Sequence, residues 1–288
     1  MVGKRVHKAV NELISSATSK RNPVIVSHGG VAVGSAVPNT SLAVTGALAS
    51  GADWVKIDVS GSSDGVLFAF HDGFEEELLG VSGRNIQSMS ADEIGELSYI
   101  WADRPGRRAR VERLTDLLEE HRGTDLVFAL DRSWWRWPAM LRVLDGLDMA
   151  SQILLKVPAW EPEALRRLSE HGVPYPVLAI CGEPGDVDDA LAYDDLNVVG
   201  AELIAHDSRS PWFNADVLAG VREKKLLTWV NSEKLTTGIP LFGGHDDELA
   251  LTDGPEAAWG ILLDLGIDAV QTEWPWLLRD YRARSRNR

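Results

Sequence analysis

Nine short apolar runs punctuate the chain, at residues 24–28, 54–59, 66–71, 125–133, 152–158, 176–181, 198–204, 226–231 and 268–272. Between most of them apolar side chains return at helical spacing, as over residues 161–171. Near the amino end, Val6, Val10, Leu13 and Ile14 share one side of a helix predicted over 4–20. Further helices are predicted over 40–50, stopped by Gly51, over 111–121, and over 255–265, where Asp253, Pro255 and Glu256 give a clear start. Ser90 opens a shorter one, because S-A-D-E has capping-box spacing. Strands alternating with helices predict a parallel α/β sheet covered by helices. Closed on itself, such a sheet is a (β/α)8 barrel, which needs eight strands, so one of the middle runs is expected to be peripheral. No domain break or repeat interrupts residues 1–288, which read as one domain with a short insertion over about 73–110. The arginine-rich tail RDYRARSRNR is expected to be a fraying, solvated end.

Three of the runs carry titratable groups where apolar residues give way to polar ones. VIVSHGG ends in His28, GADWVKIDV contains Lys56 and Asp58, and FAFHDG ends in His71 and Asp72. Strand side chains alternate, so Lys56 and Asp58 face the same side. Two imidazoles, an amine and a carboxylate would then gather at the same ends of adjacent strands, an arrangement suited to acid–base chemistry.

Charge narrows the function. A formal net charge of -14 argues against a nucleic-acid or anionic-membrane binder, and any anionic substrate must be held by local positive charge. The lone cysteine, Cys181, excludes an internal disulfide. No apolar run is long enough to span a membrane, and the first residues lack a signal-peptide core, so a soluble cytoplasmic protein is expected.

With these residues placed, the chain resembles the glycerophosphodiester phosphodiesterase family over nearly its whole length. The resemblance is carried, in order, by SHGG at 27–30, VPNT at 37–40, GADWVKID at 51–58, DG at 64–65, HD at 71–72, DRS at 131–133, TWVN at 228–231 and GIDAVQTEWP at 266–275. It implies a TIM barrel of the phospholipase-C-like phosphodiesterase type, acting as a phosphodiester hydrolase in lipid metabolism on a small phosphate-bearing molecule. It also implies that His28 and His71 are acid and base, and that Asp58 and Asp131 bind a divalent cation, Mg2+ or Ca2+. The pattern departs at three positions: Lys56 stands where the family has a metal-binding glutamate, Gly29 where it has a phosphate arginine, and Ser133 where it has a lysine. The glutamate of the family's P-E-N-T is also missing beside Asn39.

Lys56 beside a cation would lower its affinity, and two carboxylates are a thin oxygen shell, with Glu202 or Glu273 the available third ligands. The alternative needs no cofactor, Lys56 itself replacing the ion, as a basic side chain does in the similar barrel of bacterial phosphatidylinositol-specific phospholipases. Lys156, Glu202, Trp229, Asn231 and Trp274 are the expected substrate contacts. Attack by a neighbouring hydroxyl would make the enzyme a cyclising lyase. An inactive barrel that binds a phosphorylated ligand, and a rebuilt enzyme for apolar phosphate or diphosphate molecules, are the competing readings.

Two further features bear on substrate. Seven of the 11 tryptophans, Trp134, Trp135, Trp137, Trp160, Trp212, Trp274 and Trp276, follow strand ends, which would give an aromatic-walled mouth. Residues 232–253 form a long loop with a Gly-Gly pair, a candidate lid; its His245, Asp246, Asp247 and Glu248 are expected at a solvated tip.

Overall fold

Side-chain alternation decides what the centre of this molecule contains. The computed structural model describes residues 1–100 and 109–285. Its strands, in chain order, are β1 (Val24–His28), β2 (Trp54–Gly61), β3 (Leu67–Ala69), β4 (Glu112–Arg113), β5 (Val127–Asp131), β6 (Ile153–Pro158), β7 (Val177–Cys181), β8 (Val198–Leu203), β9 (Leu227–Asn231) and β10 (Ala269–Thr272). β1, β10, β9, β8, β7, β6, β5 and β2 pair in that order, all parallel, and β1 closes onto β2. This is the expected (β/α)8 barrel.

Every second residue points inward. At one end Val24, Trp54, Val127, Leu154, Leu178, Leu227 and Ala269 fill the barrel, and Ile14 packs against this layer from the helix Glu12–Lys20. The alternate positions, such as Ile25, Val55, Ile57, Phe128 and Leu155, face the surrounding helices. Two or four residues further along the strands, the inward positions change character: Lys56 and Asp58 on β2, Asp131 on β5, Lys156 on β6, Glu202 on β8 and Asn231 on β9. All but Asp131, the most open of them, are more than nine-tenths buried. The barrel is therefore oil at its amino-terminal end and charge at its carboxy-terminal end.

The peripheral run is the third, not a middle one. β3 runs antiparallel to β2, pairing Val59 with Ala69 and Gly61 with Leu67, so it never enters the barrel wall. It turns the chain back over the mouth and delivers His71 there. β4 extends the same ribbon, and the segment around residues 75–111 builds a small satellite core of Phe68, Phe70, Leu79, Ile86, Met89, Ile94 and Tyr99. Residues 101–108 of the expected insertion lie outside the described residues.

Four sequence expectations change for identifiable reasons. The helix predicted over 4–20 is a 3-10 turn at Arg5–His7 followed by Glu12–Lys20. Asn11, fully buried, exchanges two hydrogen bonds with the Asn197 amide at 2.9 and 2.8 Å and so interrupts the periodicity. The helix predicted over 111–121 begins only at Leu114, because Glu112 is drawn into β4 and accepts from Ser41 N and Oγ at 2.8 and 2.7 Å. As far as Ser285 the tail is docked rather than frayed, helix Pro275–Ser285 placing Arg282 Nη1 2.8 Å from Asp53 and 2.6 Å from the Pro23 carbonyl; residues 286–288 lie outside the described residues. Asp247 is not at a solvated tip. It opens helix Asp247–Thr252 and is buried, accepting from Ser232, Trp259, Thr272 and the Glu273 amide at 2.6–2.9 Å. These bonds pin the second half of the 232–253 loop to the ends of β9 and β10. No helix among the described residues is long and apolar enough to cross a membrane.

Candidate active site

A chain of alternating charges crosses the carboxy-terminal layer of the barrel. Lys56 Nζ lies 2.5 Å from Asp58 Oδ1 and 3.9 Å from Asp131 Oδ2. Lys156 Nζ lies 2.7 Å from that same Asp131 oxygen and 3.0 Å from Glu202 Oε2. Amides close both ends. Asn39 donates to Asp58 Oδ2 at 3.2 Å and accepts from the Asp58 amide at 3.0 Å, while Asn231 donates to Glu202 Oε1 at 2.6 Å. Trp229 in turn donates to Asn231 Oδ1 at 2.9 Å, and Lys156 stands 5.9 Å from the Trp229 ring.

The charges tune one another. Burial would push the Asp58 carboxyl up, but Lys56 beside it, with His71 and His28, holds it well below its ordinary range. The same opposition of burial against Lys156 and Lys56 lowers Asp131. Burial would discharge Lys156, yet Asp131 and Glu202 keep it charged well beyond the usual range. Glu202, innermost and next to Asp131, is pushed up by its burial.

These shifts set opposite pH dependences. Because folding lowers the Asp58 pKa, its contribution is present above about pH 4 and is lost as pH falls below that value. Burial raises Asp247 from 3.8 to about 7, so the folded state holds that proton more tightly, and this contribution is lost as pH rises across that interval. Chemical denaturation between pH 2 and 7 should therefore show stability falling at the acid end, with a shallower fall in Asp58→Asn. An unchanged acid slope in that variant would refute the assignment.

Both histidines face this layer from the rim. His28 ends β1 opposite Lys56, half-buried, with Nδ1 3.5 Å from Glu273 Oε1. His71 arrives from β3, and its Nδ1 lies 2.9 Å from the Asp72 carbonyl. Both stand close enough to the Asp58 carboxylate to help lower its pKa. Two residues that the sequence reading did not single out complete the rim. Asn39, in a left-handed backbone conformation at φ 62°, clamps Asp58. Arg132 reaches across to Asp72 Oδ1 with Nε at 3.2 Å and Nη2 at 3.0 Å. Asn39 stands in VPNT and Arg132 in DRS, so their motif positions were a signal, but only the fold shows their reach.

A divalent cation does not fit these residues. Of the two carboxylates expected to hold it, Asp58 gives one oxygen to Lys56 and the other to Asn39. Asp131 gives Oδ2 to Lys156 and accepts from the Arg132 amide through Oδ1 at 2.8 Å. No group of three His, Cys, Asp or Glu side chains able to hold an ion exists among the described residues. Lys56 and Lys156 pair with the carboxylates instead.

The other expected contacts divide by depth. Lys156, Glu202, Trp229 and Asn231 are brought together and are buried beneath the mouth, Trp229 completely, where they form its floor. Trp274 is half-buried and packs on Trp276 at 5.2 Å. Nor do the tryptophans wall the mouth as a group. Trp137 and Trp212 are buried between barrel and helices, whereas Trp135 and Trp160 are exposed. Ser133 is buried too, and Gly29 has φ 63° with a would-be Cβ 3.1 Å from Pro38, so the backbone there disfavours any side chain.

A model of the glycerophosphoryl diester phosphodiesterase family matches residues 28–208, more than half of the chain. The chain belongs to that family. A second family model, a domain of unknown function, matches residues 183–282. Among curated proteins, a glycerophosphodiester phosphodiesterase of Arabidopsis thaliana is 39% identical over 75 residues, 26% of this chain and 23% of the relative's length. Solved family structures share the fold at low identity. That of a Parabacteroides distasonis glycerophosphoryl diester phosphodiesterase superimposes with a TM-score of 0.76 at 15% identity, covering 96% of this chain and 92% of the other. An Oleispira antarctica phosphodiesterase, solved in complex with the product sn-glycerol-3-phosphate, has a TM-score of 0.66 at 18% identity, covering 91% and 98%.

Proposed function

We propose that the protein cleaves phosphodiesters by general acid–base catalysis between His28 and His71, without a divalent cation. The carrying observation is that both imidazoles stand at the rim over Asp58 while Lys56 and Lys156 hold the carboxylates below. His71 is the base: its Nδ1 faces the Asp72 carbonyl, which favours a proton there and leaves the Nε2 lone pair for the attacking hydroxyl or water. His28 is the acid: the Glu273 carboxylate 3.5 Å from Nδ1 orients the ring, leaving Nε2 to donate to the departing alkoxide. The lysines neutralise carboxylates lying beneath the site, so that the phosphodiester meets less repulsion there. Glycerophosphodiesters are the substrate class that the family suggests, and the Oleispira relative's product is a phosphate of that kind.

Leaving groups separate the two roles. With glycerophosphodiesters, His28→Ala and His71→Ala are each expected to reduce kcat/KM about 100-fold or more. With bis(p-nitrophenyl) phosphate, whose leaving group departs without a proton, His71→Ala should be as damaging but His28→Ala much less so. Rates of wild-type protein should be unchanged by a chelator. Activity abolished by chelator would overturn the metal-free mechanism; no turnover of any diester, with thermal stabilisation by phosphate esters, would leave a binding protein. Detection of a cyclic phosphate would identify a lyase.

A further inference from the structure

The structure assigns Arg132, backed by Trp135, as the anchor for the substrate's phosphate, with an apolar or aromatic substituent seated in the adjoining pocket. This rests on the phosphodiester reading above and supplies what that site lacks, a cation at the rim. The two buried lysines are already committed to three carboxylates, and Gly29 and Ser133 provide no charge.

Arg132 is held in a costly way. Its backbone lies in the left-handed region at φ 55°, which strains a non-glycine residue. Among the described residues its one ion pair is with Asp72, and with the guanidinium one-third exposed such a pair contributes little. The pair alone does not offset the strain, which is the pattern of a residue placed for function. The conformation aims the guanidinium across the mouth to the residue next to His71. Its Nε and Nη2 engage Asp72, and Nη1 has no partner among the described residues. Gln87 donates to the other Asp72 oxygen at 2.8 Å, fixing that carboxylate, while the Trp135 ring lies 5.7 Å from the guanidinium carbon. The aromatic face holds the guanidinium plane, and Nη1 is left to donate to a phosphoryl oxygen.

Trp135 and Gln87 also line a pocket of about 290 Å3 with Leu67, Ala139, Val143 and Arg136. Its walls are largely aliphatic and aromatic, and the Arg136 guanidinium, bonded to the Gly61 carbonyl at 3.0 Å, adds a second positive charge. A ligand with phosphate on Arg132 would lay a neighbouring apolar group against Trp135 and into this space. Bare glycerol would leave it unfilled.

Titration calorimetry with phenyl phosphate, and with inorganic phosphate as the unsubstituted arm, reads this without turnover. Arg132→Ala is expected to weaken both ligands at least tenfold, and Arg132→Lys to weaken them less. Trp135→Ala should weaken phenyl phosphate at least fivefold and inorganic phosphate less than twofold. Asp72→Asn, which frees the guanidinium, should tighten both. Melting curves identify any variant that fails to fold, and Asp72→Asn tests the assignment by gain. Affinities within twofold of wild type in both Arg132→Ala and Asp72→Asn would overturn it. His28→Ala and His71→Ala should still bind phenyl phosphate through Arg132, so a failed anchor and a failed reaction remain distinguishable.

Discussion

Lys156→Met is expected to destabilise the protein by about 3–5 kcal/mol, because removing one partner from a buried ion network leaves an uncompensated charge. Lys156 is almost completely buried and serves two carboxylates, Asp131 at 2.7 Å and Glu202 at 3.0 Å. Without it Asp131 retains Lys56 at only 3.9 Å, and Glu202 retains the Asn231 amide. Methionine matches the stem in volume, so the change reads charge rather than a cavity. Glu202 offers partial escape: burial already pushes its pKa up, and taking a proton would remove one orphan charge. Lys156→Met/Glu202→Gln should therefore be more stable than the single variant. Guanidinium unfolding of the full cycle measures the coupling, and a loss below about 1 kcal/mol would show that the network does not support the barrel.

Lys56→Glu should give the second large effect, and its sign depends on the solution. The substitution reverses a buried charge and places three carboxylates, at positions 56, 58 and 131, around the space that the ammonium now fills. In chelator the variant should lose more stability than Lys156→Met, since like charges near 4 Å repel by about 4 kcal/mol at moderate dielectric. In millimolar Mg2+ or Ca2+ three carboxylates become a plausible oxygen shell, and an ion at 100 times its Kd restores about 2.7 kcal/mol. Melting curves should show a cation-dependent rise in the variant and none in the wild-type protein. Equal responses in both would mean that the ion and the lysine do not exclude one another.

Much of this arrangement was written in the chain. Strand runs bounded by helical spacing and the ordered motifs located the barrel, and two-residue spacing put Lys56 and Asp58 on one face. Other features depend on contacts between distant segments. Nothing local marks residues 66–71 as an antiparallel ribbon outside the wall, because a short apolar run looks the same in either role. The Asn11–Asn197 pair that shortens the first helix joins positions 186 residues apart. Depth was also hidden. Lys156, Glu202 and Trp229 sit at strand ends by sequence, but a barrel stacks its inward residues in layers, and these belong to the floor. Arg132 went unremarked because its reach to Asp72 follows from a backbone torsion, which composition does not reveal.

On the proposed mechanism, the antiparallel ribbon governs how the site can diversify. One imidazole is fixed to the cylinder, while the other rides on an appendage whose satellite core is separate from the main one. Grafting a different appendage onto the same eight strands would change the width of the cleft between acid and base, and with it the size of alcohol accepted, while leaving the charged floor intact. Substrate range and structural integrity are thus assigned to separable parts of a single polypeptide.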